Sequence, residues 1–152
     1  MTTSMAKASD SFLIADTSGL ISLSVTTDSN HTPAVAATER LWFTHSTILV
    51  PYEVFVETVN VLGKRVGHGK AASVASYLSQ TRLFLVIDSP SETRQAALDR
   101  FATLPQSVSF TDAMVMALAD EYRTRDIFGF DQAFEKSGYQ IIEKKNPGRK
   151  AA

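Results

Sequence analysis

Short apolar runs alternate along the chain with longer segments in which apolar positions recur every three or four residues. Phe12-Leu13-Ile14-Ala15, Thr47-Ile48-Leu49-Val50, Leu83–Ile87, Ile127–Phe130 and Tyr139–Glu143 have the length and composition of buried strands. Helical segments are expected just after Thr17-Ser18-Gly19, where Leu20 and Leu23 follow, and over Ala34–Thr44, Tyr52–Val66, Lys70–Gln80, Glu92–Leu104 and Asp112 to Arg123. The Tyr52–Val66 segment shows the period best. Phe55, Val59, Leu62 and Val66 fall at spacings of 4, 3 and 4 on one face, with Glu53, Glu57, Asn60 and Lys64 on the other. Pro51 ends the second strand, Gly67 and Gly69 break that helix, and Ser109 and Thr111 offer caps for a later one. The polar, turn-rich stretch Thr26–Pro33 reads as a loop. Strands alternating with helices of this length predict an α/β fold: a three-layer α/β/α sandwich around a central, mainly parallel sheet.

No linker or repeat interrupts the pattern, so one domain is expected over residues 11–145, after a polar leader of residues 1–10 and before a basic tail of residues 146–152. With 152 residues, a domain buries roughly two-thirds of the surface its unfolded chain exposes and needs no staple. The formal charge of −1 gives no overall basic balance, so any affinity for nucleic acid has to come from local features. Absence of cysteine excludes disulfides, thiolate zinc sites and cysteine nucleophiles. Met1 to Ser11 lacks the apolar core of a signal peptide, and no apolar run approaches the roughly 20 residues that span a bilayer. The expectation is a cytoplasmic protein without membrane contact. No Gly-rich phosphate loop and no nucleophile elbow is present.

In parallel sheets, ligands bind beyond the carboxyl ends of the strands, so acids at those ends carry the interest. Asp16 and Asp131 each follow an apolar run directly, and Asp112 opens a helix after Val108-Ser109-Phe110-Thr111. Glu57 lies among Val54, Phe55, Val56, Val59 and Val61, where a carboxylate needs a partner, water or a cation. Each has a plainer reading too: Asp16 as a cap, Asp112 as a helix N-terminal residue, Asp131 as a turn residue, and Glu57 as part of a solvated face with Glu53 and Lys64. If the four met, they would repel unless something positive stood among them. Clustered carboxylates without cysteine or paired histidine favour Mg²⁺ or Mn²⁺ over Zn²⁺. That set suits activation of water against a phosphodiester.

Four segments carrying these acids, in this order, resemble the motifs of PIN-domain nucleases. They are Phe12-Leu13-Ile14-Ala15-Asp16-Thr17-Ser18, Pro51 through Leu62 with Glu57 and Asn60, Phe110-Thr111-Asp112-Ala113, and Phe128-Gly129-Phe130-Asp131. The resemblance extends from about residue 12 to 143, with Tyr139-Gln140-Ile141-Ile142 as the closing strand. It implies a PIN-like fold and a metal-dependent endoribonuclease, with Asp16, Glu57, Asp112 and Asp131 as metal ligands and Thr17, Ser18 and Thr111 supporting them. Small proteins of this family are commonly VapC-like toxins that cleave RNA, pair with a cognate antitoxin and form homodimers. One departure stands out: the residue two before the last Asp is often Ser or Thr in the family, and here it is Gly129.

Lys64, Arg65 and Lys70, with His68 between them, are candidates for gripping an RNA backbone, or else form a solvated helix end. His31, His45 and His68 are too scattered to pair on a metal, and Trp42 and Phe43 suit either a partner face or the core. The alternative from another class is a non-catalytic PIN-like module that binds RNA or protein without cutting it.

Overall fold

The computed structural model describes residues 11–144. The expected leader and basic tail lie outside them. Each strand is followed by helices: β1 (Phe12–Ala15) by α1 (Thr17–Ser24) and α2 (His31–Phe43), and β2 (Thr47–Pro51) by α3 (Tyr52–Arg65) and α4 (His68–Gln80). In the same way β3 (Phe84–Ile87) precedes α5 (Ser91–Phe101) and α6 (Phe110–Glu121), and β4 (Ile127–Phe128) precedes α7 (Gln132–Lys136). The strands form a four-stranded sheet in the order β3-β2-β1-β4, every pair parallel, as crossovers of this length require. Helices flank it, and the expected α/β/α architecture is the one observed.

The central strand β1 is apolar because it is covered on both faces; Ile14 and Ala15 are wholly buried, as are Ile48 and Val50 beside them. Ile14, Ile48 and Val50 each contribute about 1.5–3 kcal/mol by leaving water. Helix α6 is buried at every position from Asp112 to Ala119. A helix apolar all round belongs in the interior, and α6 lies between α5 and β1. Gly19 lets α1 settle on β4, since a Cβ there would run into the carbonyl of Phe128.

Three expectations are corrected. The loop over Thr26–Pro33 is shorter, because α2 begins at His31. Pro33 is tolerated in its first turn, where the missing N–H has no intrahelical acceptor. The fourth strand stops at Phe128 rather than running to Phe130, because the chain leaves the sheet to bring the Phe130 N–H onto the Ser18 hydroxyl at 2.9 Å. That early exit explains the third correction. Tyr139–Glu143 forms no fifth strand but a single bridge, Gln140 with Asp126, plus a bond from the Ile142 N–H to the Gly129 carbonyl at 3.0 Å. A two-residue strand offers too short a ladder for a neighbour to pair along.

Candidate active site

Asp16 stands at the carboxyl end of β1, and the strand register sets its neighbours. Ile14 pairs with Leu49 and Ala15 with Phe128, so Pro51 and Gly129 come level with Asp16 on either side. Asp16 caps α1: its Oδ2 accepts from the Ser18 N–H at 3.3 Å and from the Ser18 hydroxyl at 2.7 Å. The Ser18 oxygen in turn accepts from the Phe130 N–H, which directs its own proton to Asp16. Gly129 closes the other side. A Cβ on it would lie 2.8 Å from the Asp16 Cβ and 3.2 Å from Oδ2, so no side chain fits beside the carboxylate. The Ser18 hydroxyl lies within 3.1 Å of the same point.

Asp112 enters from α6. Ser109 caps that helix, accepting from the Asp112 N–H at 3.0 Å, while the Asp112 Oδ2 accepts from the Ser109 N–H at 3.0 Å. This reciprocal capping box holds the carboxylate at the helix N-terminus. Asp131 caps α7 through a bond from the Ala133 N–H to its Oδ1 at 2.9 Å, and it is exposed. Asp16 is thus a cap and Asp112 a helix N-terminal residue, as their plainer readings had it, and Asp131, read as a turn residue, caps the helix that follows it. Each acid spends one oxygen on its cap and, among the described residues, leaves the other without a protein hydrogen bond.

The electrostatics follow from this placement. Asp16 and Asp112 are 5% and 8% exposed. Burial pushes the Asp16 carboxyl up to about 6; the Ser18 hydroxyl opposes that, and the charges of Asp112 and Asp131 add to it. Asp112 is raised in the same way, by burial first and then by Asp131, against the pull of the Ser109 donors. No Lys or Arg pairs with any of the three among the described residues. The charge of Asp131 thus acts on both buried carboxyls, and that of Asp112 on Asp16, with no protein cation set against them among the described residues.

The remaining sequence-derived residues lie at different distances from this centre. Glu57 is exposed on α3, and its charge is not among those acting on Asp16 or Asp112. Glu53, one turn earlier on the same helix, accepts from the Ser89 hydroxyl at 2.9 Å. The structure thus unites Asp16, Asp112 and Asp131 and does not join Glu57 to them. Among the described residues, no three His, Asp or Glu side chains converge tightly enough to hold a metal ion by themselves. The Thr17 hydroxyl, next to Asp16, is buried and unpartnered, and Thr111 sits half-buried between Phe110 and Asp112. Arg65 faces the loop after α1, where burial of Asp28 is outweighed by the Asn30 N–H, the Ser22 hydroxyl, Arg65 and His31, which together hold that acid below the usual range. Lys70 lines a shallow hollow with Leu23, Ser24 and Thr26. Both cations therefore lie toward the far end of α1 from Asp16. Sequence reasoning missed Gly129 as a packing partner of Asp16; the only signal is a glycine lodged between two buried phenylalanines directly before an acid.

A parallel sheet with acids gathered over the carboxyl end of its central strand defines an α/β protein whose ligand sits beyond the strand ends. The chain belongs to the PIN domain family, whose profile matches residues 13–138. No curated protein matches it. Among solved structures it is similar to VapC20 of Mycobacterium tuberculosis, described as a Sarcin-Ricin loop cleaving toxin, with a TM-score of 0.73 and 22% identity over 84% of this chain and 96% of that one. At that identity the likeness is one of fold. Among the described residues no helix is long and apolar enough to cross a membrane.

Proposed function

We propose that this chain is a divalent-metal-dependent endoribonuclease and the toxin of a toxin–antitoxin pair. The observation that carries the reading is the pairing of two buried carboxylates, Asp16 and Asp112, with Asp131 beside them and no protein cation among them. The donor set fits a hard cation: carboxylate oxygens, each with one oxygen uncommitted, and an unpartnered hydroxyl on Thr17. Mg²⁺ is commonly held by one or two carboxylates, its own waters and substrate phosphate, so a tight protein cage is not required. Asp16 and Asp112 would hold it, Asp131 would support them, and Glu57 would reach it through water. When bound, the ion supplies charge for the phosphate oxygens and a more acidic water.

The chain's own residues prepare that chemistry. Ser18 fixes which Asp16 oxygen is engaged, so the other is presented without rotamer search. The capping box does the same for Asp112. Thr17 and Thr111 would orient a water or a carboxylate. Lys64, Arg65 and Lys70 would meet RNA backbone away from the cleavage point, by phosphate neutralisation. The likeness to a toxin that cleaves an RNA loop, and the family membership, support RNA as substrate and a cognate antitoxin and a second copy as partners.

The test is cleavage of a panel of RNAs by the purified protein in Mg²⁺, in Mn²⁺ and in EDTA, beside Asp16→Asn. Cutting that needs metal and disappears in the variant is the expected result. If no RNA is cut under any condition, with antitoxin shown to be absent, the non-catalytic binding module replaces this reading.

A further inference from the structure

We propose that Ile142 is the outermost positioning residue of the metal site: its backbone N–H starts a relay of three hydrogen bonds that ends on Asp16 and fixes how that carboxylate is presented. The inference rests on the metal-site reading given under the proposed function and deepens it.

The relay runs in one direction throughout. The Ile142 N–H donates to the Gly129 carbonyl at 3.0 Å. On the far side of that same peptide unit, the Phe130 N–H donates to the Ser18 hydroxyl at 2.9 Å. The Ser18 hydroxyl donates in turn to Asp16 Oδ2 at 2.7 Å. The Gly129–Phe130 peptide is trans and planar, so its C=O and N–H point oppositely and cannot turn independently. Holding the carbonyl from one side therefore aims the N–H on the other. Hydrogen bonds in such a chain polarise one another, each acceptor becoming a better donor for the next link. The last acceptor is a carboxylate, whose charge strengthens the bond it receives.

The bond from Ile142 does not continue the pairing of the sheet. The C-terminal segment bridges β4 once: the Gln140 N–H donates to the Arg125 carbonyl at 2.7 Å, and the Gln140 carbonyl accepts the Ile127 N–H at 2.8 Å. A parallel ladder continued from that bridge would set the Ile142 N–H on the Ile127 carbonyl. It goes instead to Gly129, the residue packed against Asp16. Before the bridge, the Tyr139 hydroxyl donates to Asp120 at 2.7 Å, so the segment is anchored to α6 on its way to Ile142. The Ile142 side chain is buried in the core, which holds the N–H in place.

The experiment is calorimetric titration with Mn²⁺ alone, without RNA, on wild type, Ile142→Pro, Ile142→Ala, Ser18→Ala and the double variant of Ser18→Ala with Ile142→Pro. Proline removes the N–H and keeps apolar bulk; alanine keeps the N–H and removes bulk. Ile142→Pro and Ser18→Ala should each weaken Mn²⁺ binding on the order of tenfold, as lost support of a metal ligand does. Changes within one relay are not additive, so the double variant should bind no more weakly than Ser18→Ala. Ile142→Ala should lower the melting temperature and keep the Mn²⁺ affinity of wild type. Unchanged affinity in folded Ile142→Pro overturns the proposal, as does an additive loss in the double variant. An equal loss in Ile142→Ala also overturns it, and assigns the effect to stability. If proline prevents folding, amide exchange in wild type decides. By linkage, Mg²⁺ gripped through the relay must slow exchange at the Ile142 amide. The Thr81 N–H, bound to the Tyr77 carbonyl at the end of α4, is the reference. The extra protection at Ile142 should vanish in Ser18→Ala, and equal slowing at both amides in wild type overturns the proposal. If Mn²⁺ binds wild type, fails to bind Asp16→Asn and binds Ile142→Pro as it does wild type, only this inference fails. If wild type takes up no Mn²⁺ and cuts no RNA, the metal-site reading falls and the relay with it.

Discussion

Helix α6 carries an acid near each end, and the two are treated in opposite ways. Asp120, in its last turn, is paired with Arg100, lies 3.6 Å from Arg125 and accepts the Tyr139 hydroxyl at 2.7 Å. The tyrosine is locked in turn: burial, and then its bond to Asp120, push its hydroxyl up to about 12. Arg125 also lies over the Tyr139 ring at 4.4 Å. This acid ties α5, α6 and the C-terminal segment together, and the chain supplies the cations it needs. Asp112, in the first turn, is more deeply buried and receives only its own cap, with two other acids for company. An acid kept for structure is neutralised from within. Asp112 receives no such counter-charge among the described residues, which is what the proposed cation would supply.

Exchanging the two acids for their amides should separate the roles most sharply. Asp112→Asn is expected to lower metal-dependent cleavage by about a thousandfold, the several kcal/mol that a bound ion contributes at the transition state. Its thermal unfolding without metal should be unchanged or improved. Asp120→Asn should do the reverse, costing about 1–2 kcal/mol of stability for its hydrogen-bonded pair and leaving kcat within twofold or so. Equal losses of activity in both would end the comparison. Unfolding and turnover measured on the same preparations decide it.

Next in size is a pH effect. The Asp16 carboxyl is raised from 3.8 to about 6, so between those values the folded state binds more protons than the unfolded one. The contribution of this group to the stability of the metal-free protein is therefore fully present below about pH 4 and is lost as pH rises through 6, by up to about 3 kcal/mol. Divalent metal should reverse the slope, since proton and cation compete for the same oxygens. Denaturant titrations across this window, with Asp16→Asn as the control that flattens it, provide the check.

Two smaller changes sharpen the picture around Asp16. Gly129→Ala places a methyl 2.8 Å from the Asp16 Cβ, and backbone or carboxylate must shift. A stability loss of about 1–3 kcal/mol is expected from the overpacking, with weakened metal activation measured as a higher Mg²⁺ concentration for half-maximal rate. Ser18→Ala removes the hydroxyl between Phe130 and Asp16, and a tenfold or so rise in that same concentration should follow. A variant with unaltered metal dependence would reduce Ser18 to a helix residue with no part in positioning Asp16.

Much of this was legible from residue types alone. The strand-and-helix period required a parallel α/β sheet, and acids placed directly after Ala15 and near the start of a helix after Val108 were recognisable as edge residues. Pattern failed where pairing depends on a partner's length. Tyr139–Glu143 has the composition of a strand, but β4 ends after Phe128 and leaves it one bridge. Period and composition likewise place Glu57 on a polar face but carry no distance to Asp16.

The sequence by itself determined the layer order and the family motifs, and it marked acids at the strand ends as candidates, because these follow from local period and from which residues directly follow a strand. Only the tertiary structure decided which acids meet and how each is held. Register sets Gly129 and Pro51 against Asp16, and a hydroxyl on Ser18 is bound by an N–H from Phe130, distant in sequence. Such contacts arise from the sheet's order and the early exit of β4, and interactions between segments leave no periodic trace in the chain.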